Sequence, residues 1–223
     1  CGASIGDGYG PKLVSAEPMT TDDLRRGKPR IAVPGAHTTA LATTKLLLGA
    51  DVDWAAVDFV TIGDRVRNGD FTAGVVIHEG QLTFTEGGLH LVEDLGAWWN
   101  REHGLPLPLG GNVARRDLDD RGGPGTLPEV AGLLRRSVEH AMEHRDTSLQ
   151  WAQRFGRGID LATADTFVGM YVNHWTLDFG ERGREALRVF LQAVHAAGGP
   201  DPGAIDITGS ADDTLHAAVG DAS

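Results

Sequence analysis

RIAVPGAHTTALATTKLLLG, residues 30–49, decides the fold. Arg30–Val33 is a short β-branched run that reads as a buried strand, and it stops at Pro34-Gly35. Thr38 or Thr39 then caps a helix whose apolar positions are Leu41, Leu46, Leu47 and Leu48, with Gly49 where a helix C-terminus is expected. Strand, turn and helix recur on either side. Lys12–Ala16 reads as a strand and Thr20–Gly27 as a turn or one helical turn. Downstream, Val57–Ile62 reads as a strand, Gly63–Asn68 as a short helix and Ala73–His78 as another strand. This alternation predicts an α/β fold with a parallel or mixed sheet and helices on its faces.

The segment after His78 is loop-rich, with one helix predicted around Leu95–Glu102, and NVARRDL (Asn112–Leu118) reads as a further strand. Asp119–Pro128 is a Gly/Pro-rich hinge or helix lead-in. From there to about residue 198 the pattern is helical. Val130, Leu133, Leu134, Val138 and Met142 fall close to the 3.6-residue period, and further helices run through Trp151, Phe167–Trp175 and Ala186–Val194. Residues 199–223, rich in Gly, Asp and Ala, predict a disordered tail.

Composition excludes several classes of function. The 223 residues carry 31 acidic against 20 basic side chains, a formal net charge of −11. That argues against a nucleic-acid partner, which would require clustered Lys and Arg. No apolar run approaches the length of a membrane helix, and no signal-peptide pattern is present. The single cysteine, Cys1, excludes internal disulfides and Cys-based zinc sites. A cysteine at position 1 is open to reading as the lipidated start of a lipoprotein, but the loop and strand that follow lack the polar linker of such anchors.

Two places carry chemistry. In PGAHTTA, residues 34–40, a strand turns into a helix, so free backbone N–H groups, the positive end of the helix dipole and two hydroxyls gather beside the loop. A carboxylate or phosphate would be held there; ordinary N-capping by threonine is the competing reading. In VVIHEGQLTF, residues 75–84, a buried strand ends in an imidazole. His78 is either a solvated strand end or a base delivered to a cleft, because open α/β sheets bind ligands at the carboxyl ends of their strands. Glu79 points the other way if the strand continues. His37 lies in the threonine loop and could touch the same ligand. The remaining histidines are scattered, with no HExxH; His140 and His144, spaced i, i+4, read as an exposed helix face. Gly6, Gly8 and Gly10 make no dinucleotide fingerprint, and Trp98-Trp99 reads as core.

In this order, AVPGAHTTA, VVIHEGQLTF, DLGAWWNREHGLPLPLGGNVARRDL and FVGMYVNHWTLDFGERG resemble the 1,4-dihydroxy-6-naphthoate synthase family, over about Ser4 to Leu191. The resemblance implies a two-lobed α/β fold like the type 2 periplasmic solute-binding proteins, with the site between the lobes. It implies a cytoplasmic, cofactor-free and metal-free lyase of menaquinone biosynthesis by the futalosine route. Such an enzyme converts cyclic dehypoxanthine futalosine, an anionic small molecule, to 1,4-dihydroxy-6-naphthoate. By motif match His78 is similar to the family's proton acceptor, and Thr38 and Thr39 to its substrate-binding threonine pair.

Family members begin with much of another lobe, including a Ser-Pro-Cys-Pro-Asn-like opening that is not matched here. The expected organisation is therefore a first-lobe remnant and crossover (1–28), a second α/β lobe (29–118), helices completing an incomplete first lobe (119–198) and the tail (199–223). The helices from Pro128 onward are expected to leave apolar surface uncovered. Two alternatives stay open: a solute-binding protein for a small carboxylate, with a lipidated Cys1, and an inactive truncated remnant of the enzyme.

Overall fold

The computed structural model of the chain describes residues 2–155 and 160–207 and the backbone of 214–216. In chain order the elements begin β1 (Ala3–Gly6), β2 (Lys12–Ser15), α1 (Thr21–Gly27), β3 (Ile31–Val33), α2 (Thr39–Leu48) and β4 (Trp54–Ala56). They continue α3 (Ile62–Arg67), β5 (Ala73–Val76), α4 (Gly80–Thr83), β6 (His90–Asp94), α5 (Leu95–His103) and β7 (Leu107–Gly111). The helical half holds α6 (Leu118–Gly122), α7 (Thr126–Glu143), α8 (Arg145–Ala152), α9 (Leu161–Tyr171), α10 (His174–Leu177) and α11 (Gly180–Ala196). Two short strands, β8 (Ala204–Asp206) and β9 (Thr214–His216), come last.

A five-stranded sheet in the order β4-β3-β5-β2-β6 forms the body. It is mixed: β3 runs parallel to β4 and β5, whereas β2 is antiparallel to β5 and β6. Alternating side chains feed its two faces. Leu13, Ile31, Val33 and Val75 pack with Leu24, Leu41, Leu47 and Leu95 on one side. Val14, Ala32 and Val76 pack with Ile62, Val66 and Leu89 on the other. β2 thus lies inside this sheet, rather than in the separate segment 1–28 expected from the sequence, because Leu13 and Val14 each have a core to enter.

β1 and β7 form a separate antiparallel ribbon, joined to the body through a third cluster of Trp99, Leu107 and Phe190. Trp99 is fully buried, as expected of the tandem tryptophans, and meets Phe190 edge-on at 5.3 Å. The long helix α7 is amphipathic yet buries none of its residues. Leu133 on α7 is 59% exposed, as is Trp151 on α8, and Phe155 is 70% exposed.

Four local expectations differ. Residues 57–62 are not a strand: Asp58 caps a 3₁₀ turn at Phe59–Thr61 that leads into α3, its carboxylate accepting from the Val60 N–H at 3.1 Å. The strand expected at Asn112–Leu118 instead occupies Leu107–Gly111, where Pro108 is tolerated because the ribbon has only two strands. His90–Asp94, read as loop, pairs with β2. In the expected disordered tail, β8 pairs with β9; residues 208–213 and 217–223, like Cys1, lie outside the described residues. Among the described residues no helix is long and apolar enough to cross a membrane.

Candidate active site

The adjacent parallel strands β3 and β5 both end at one cavity of about 490 Å³, within the usual range for small-molecule sites. From β3 the chain turns through Pro34-Gly35, and His37, Thr38, Thr39 and Ala40 line one side. From β5 come Ile77 and His78, with Gln81 beneath them. Ser4 on β1 and Leu109 and Gly110 on β7 close a second side, and Phe167 and Tyr171 on α9 a third. The sheet body, the ribbon and the helical half therefore all contribute.

The threonine turn is held by its own side chains. The Thr38 hydroxyl accepts from the Leu41 N–H at 3.2 Å and donates to the Gly35 carbonyl at 2.8 Å. The Thr39 hydroxyl donates to the Leu109 carbonyl at 2.9 Å, tying α2 to the ribbon. Thr38 is thus the N-cap, and both hydroxyl protons have acceptors within the protein. The groups left to meet an anion are the backbone N–H groups of the first turn of α2, at the positive end of its dipole. Among the described lining residues there is no Lys, Arg, Asp or Glu, so the helix terminus and two imidazoles are the groups there suited to an anion.

His78 sits where β5 stops, with φ +54 in the left-handed region. For a side chain other than glycine that conformation costs about 1–2 kcal/mol, and such strain concentrates at functional sites. The left-handed residue reverses the chain into α4, with the Gln81 N–H donating to the His78 carbonyl at 3.1 Å. The imidazole is exposed and tilted against Phe59 at 4.7 Å and Phe167 at 6.3 Å. It also borders a second, smaller hollow of about 210 Å³ that includes Phe59, Arg67 and Glu79. Glu79 has turned away from the main cavity with the start of α4.

An aromatic wall continues from Phe167 to Tyr171 at 4.9 Å and on to Tyr9 at 5.9 Å. Burial pushes the Tyr171 phenol up to about 12, partly offset by its hydrogen bond to Gln81, so it stays protonated at neutral pH. The Tyr9 hydroxyl donates to the Met170 carbonyl.

His78, Thr38 and Thr39, singled out in the sequence, are brought together, with His37 at the edge. Gln81, Phe167 and Tyr171 were not singled out. The i, i+4 pair Phe167 and Tyr171 would mark one helix face; no local pattern marks Gln81. His140 and His144 stack at 4.1 Å on the exposed end of α7 and line neither hollow. Among the described residues no group of three or more His, Cys, Asp or Glu is placed to hold a metal ion.

The family described as Menaquinone biosynthesis matches residues 1–196. A 1,4-dihydroxy-6-naphthoate synthase of Thermus thermophilus is 37% identical over 193 residues, 86% of this chain and 68% of that one. Its namesake in Streptomyces coelicolor is 35% identical over 211 residues, 90% and 72% of the two chains. Among solved structures, an Archaeoglobus fulgidus protein superposes with a TM-score of 0.78 at 37% identity, covering 89% of this chain and 71% of its own. The alkanesulfonate-binding protein SsuA from Xanthomonas axonopodis pv. citri, solved with MOPS, reaches 0.58 at 14% identity over 88% of this chain and 68% of its own. The SsuA likeness speaks to fold alone, and the fold is the periplasmic-binding-protein-like α/β architecture. Sequence identity to the two synthases, spread over nearly the whole length that carries the cavity, speaks to kinship: the chain belongs to the menaquinone biosynthesis family.

Proposed function

We propose that the chain is a 1,4-dihydroxy-6-naphthoate synthase, a cytoplasmic carbon–carbon lyase acting on cyclic dehypoxanthine futalosine. One observation carries the reading: a single cavity gathers a helix N-terminus, an imidazole at a strand end and an aromatic wall. The substrate carboxylate sits against the first-turn N–H groups of α2, at Thr39 and Ala40. Its ring system lies along Phe167 and Tyr171. Its sugar portion reaches His78.

His78 takes the proton of a sugar hydroxyl. The O–H electron pair becomes a carbonyl π bond, the adjacent carbon–carbon bond breaks, and its electrons pass into the ring as an enolate. Protonation and enolisation complete the aromatic dihydroxynaphthoate, and the sugar-derived fragment leaves as a carbonyl compound. The gain in aromaticity favours the products.

The direct test is to incubate the folded chain with cyclic dehypoxanthine futalosine and follow 1,4-dihydroxy-6-naphthoate by chromatography. No product from a chain that melts cooperatively overturns the proposal. The anion site has its own test in calorimetry with the naphthoate product as probe. Thr38→Ala/Thr39→Ala loses the cap and the tie to Leu109, which disorders the turn that presents the N–H groups. Loss of hydrogen bonds to a charged group costs about 1.5–3 kcal/mol, so the Kd should rise about tenfold or more. An unchanged Kd in the folded variant would reduce the pair to a helix cap.

A further inference from the structure

Gln81 is 6% exposed, one of few buried polar side chains in the described structure, and both ends of its amide are occupied. Its partners assign the two ends. The nitrogen lies 2.6 Å from the Gly10 carbonyl and 2.8 Å from the Tyr171 hydroxyl, and donates to both; the oxygen accepts from the His78 N–H at 3.2 Å. The Gln81 backbone N–H donates in turn to the His78 carbonyl. His78 is therefore held at both its N–H and its C=O by one residue.

These bonds join three parts of the chain: the turn after β5, the connection from β1 to β2, and the end of α9. Holding the turn locally would need only the bond back to the His78 N–H. The other two fix where that turn sits relative to the ribbon and the aromatic wall. They do so beside a residue whose backbone is in a conformation it would otherwise leave.

We propose that Gln81 is the positioning residue of this site, its buried amide clasping the left-handed backbone of His78 and anchoring it to Gly10 and Tyr171 so that the imidazole stays on the cavity rim. The proposal rests on the reading of His78 as the base. Without the clasp, residue 78 relaxes toward an ordinary φ, and its side chain swings with it. Gln81 touches no reacting atom in this arrangement; it acts through His78.

The test uses Gln81→Met, which keeps length and volume but cannot form the bonds, and Gln81→Glu, which keeps an acceptor for the His78 N–H. In Gln81→Met, kcat should fall about 10–100-fold with KM within about threefold, and hydrogen exchange at the His78 amide should quicken at least about tenfold. Gln81→Glu should retain most of the amide protection and lie between the two in kcat. In single-turnover assays on a His78→Ala background, Gln81→Met should cost no more than about twofold further, because residues acting through one another are not additive. Three results overturn the proposal: unchanged kcat in folded Gln81→Met, unchanged exchange at the His78 amide, or the same loss with and without His78. If Gln81→Met does not fold, full activity in Gln81→Glu with a fast-exchanging His78 amide overturns it as well. A His78→Ala chain that turns over normally would instead sink the base assignment, while amide exchange still reports on the clasp.

Discussion

His78→Ala is expected to lower turnover of cyclic dehypoxanthine futalosine by about 10²–10⁴-fold, the usual contribution of general-base catalysis. Affinity for the naphthoate should stay within several-fold, because the proposed anion contacts lie across the cavity on the first turn of α2. Turnover should also fall as pH is lowered, since a protonated imidazole cannot accept the hydroxyl proton. His78→Gly separates chemistry from backbone strain. Both variants lose the base and the ring contacts to Phe59 and Phe167, but only glycine is at ease at φ +54. The glycine variant should therefore be more stable than the alanine variant by about 1 kcal/mol in urea unfolding, and equally inactive. Near parental turnover in a folded His78→Ala chain would move the base elsewhere, with His37 as the next candidate on the cavity wall.

How much of this was legible in the sequence depends on the distance over which each feature is decided. Residues 30–49 fold as read, with a buried strand, a Thr38 cap and Gly49 ending the helix at φ +118, because caps and periodicity are local. The placement of His78 at a strand end was likewise local. The strand misread at 57–62 shows where propensity loses: the β-branched residues are there, but the Asp58 carboxylate and carbonyl capture the next N–H groups and start a turn. β7 was hidden by Pro108 within it and Pro106 just before it, and a two-stranded ribbon accepts the former. The clasp could not be read at all. Gln81 and Tyr171 are 90 residues apart, and only the packing of α9 against the β5 turn brings them to 2.8 Å. Periodicity read α7 as a helix, whereas the exposure of its apolar stripe was expected from the family resemblance and not from the period.

Gly96→Ala is expected to cost the fold heavily. The backbone conformation of Gly96 is open to any residue; space is what forbids a side chain. A Cβ there would lie 2.0 Å from the Tyr9 carbonyl oxygen, 2.1 Å from its carbon and 2.6 Å from the Gly10 nitrogen. All three are backbone atoms, so no rotamer change relieves the clash. Neither side is free to retreat. The start of α5 is fixed by the Asp94 cap, whose carboxylate accepts from the Gly96 and Ala97 N–H groups at 2.9 and 3.1 Å. The Leu95 N–H donates to the Pro11 carbonyl at 3.0 Å, and Lys12 both pairs in register with Asp94 and forms an ion pair with it. Overpacking of this kind costs about 3 kcal/mol, or about 6–12 °C in Tm for a chain of this size. Gly110→Ala is the control: its Cβ would meet nothing within 4 Å, so its Tm should stay within about 1–2 °C of the parent. A Gly96→Ala chain that melts like the control would mean α5 and the Tyr9–Gly10 backbone are not in contact. Because the Gly10 carbonyl also receives the Gln81 amide, whatever displacement relieves the clash is passed to the turn that carries His78. Gly96→Ala should therefore lose kcat as well as stability, and Gly110→Ala, although it borders the cavity, should lose no stability.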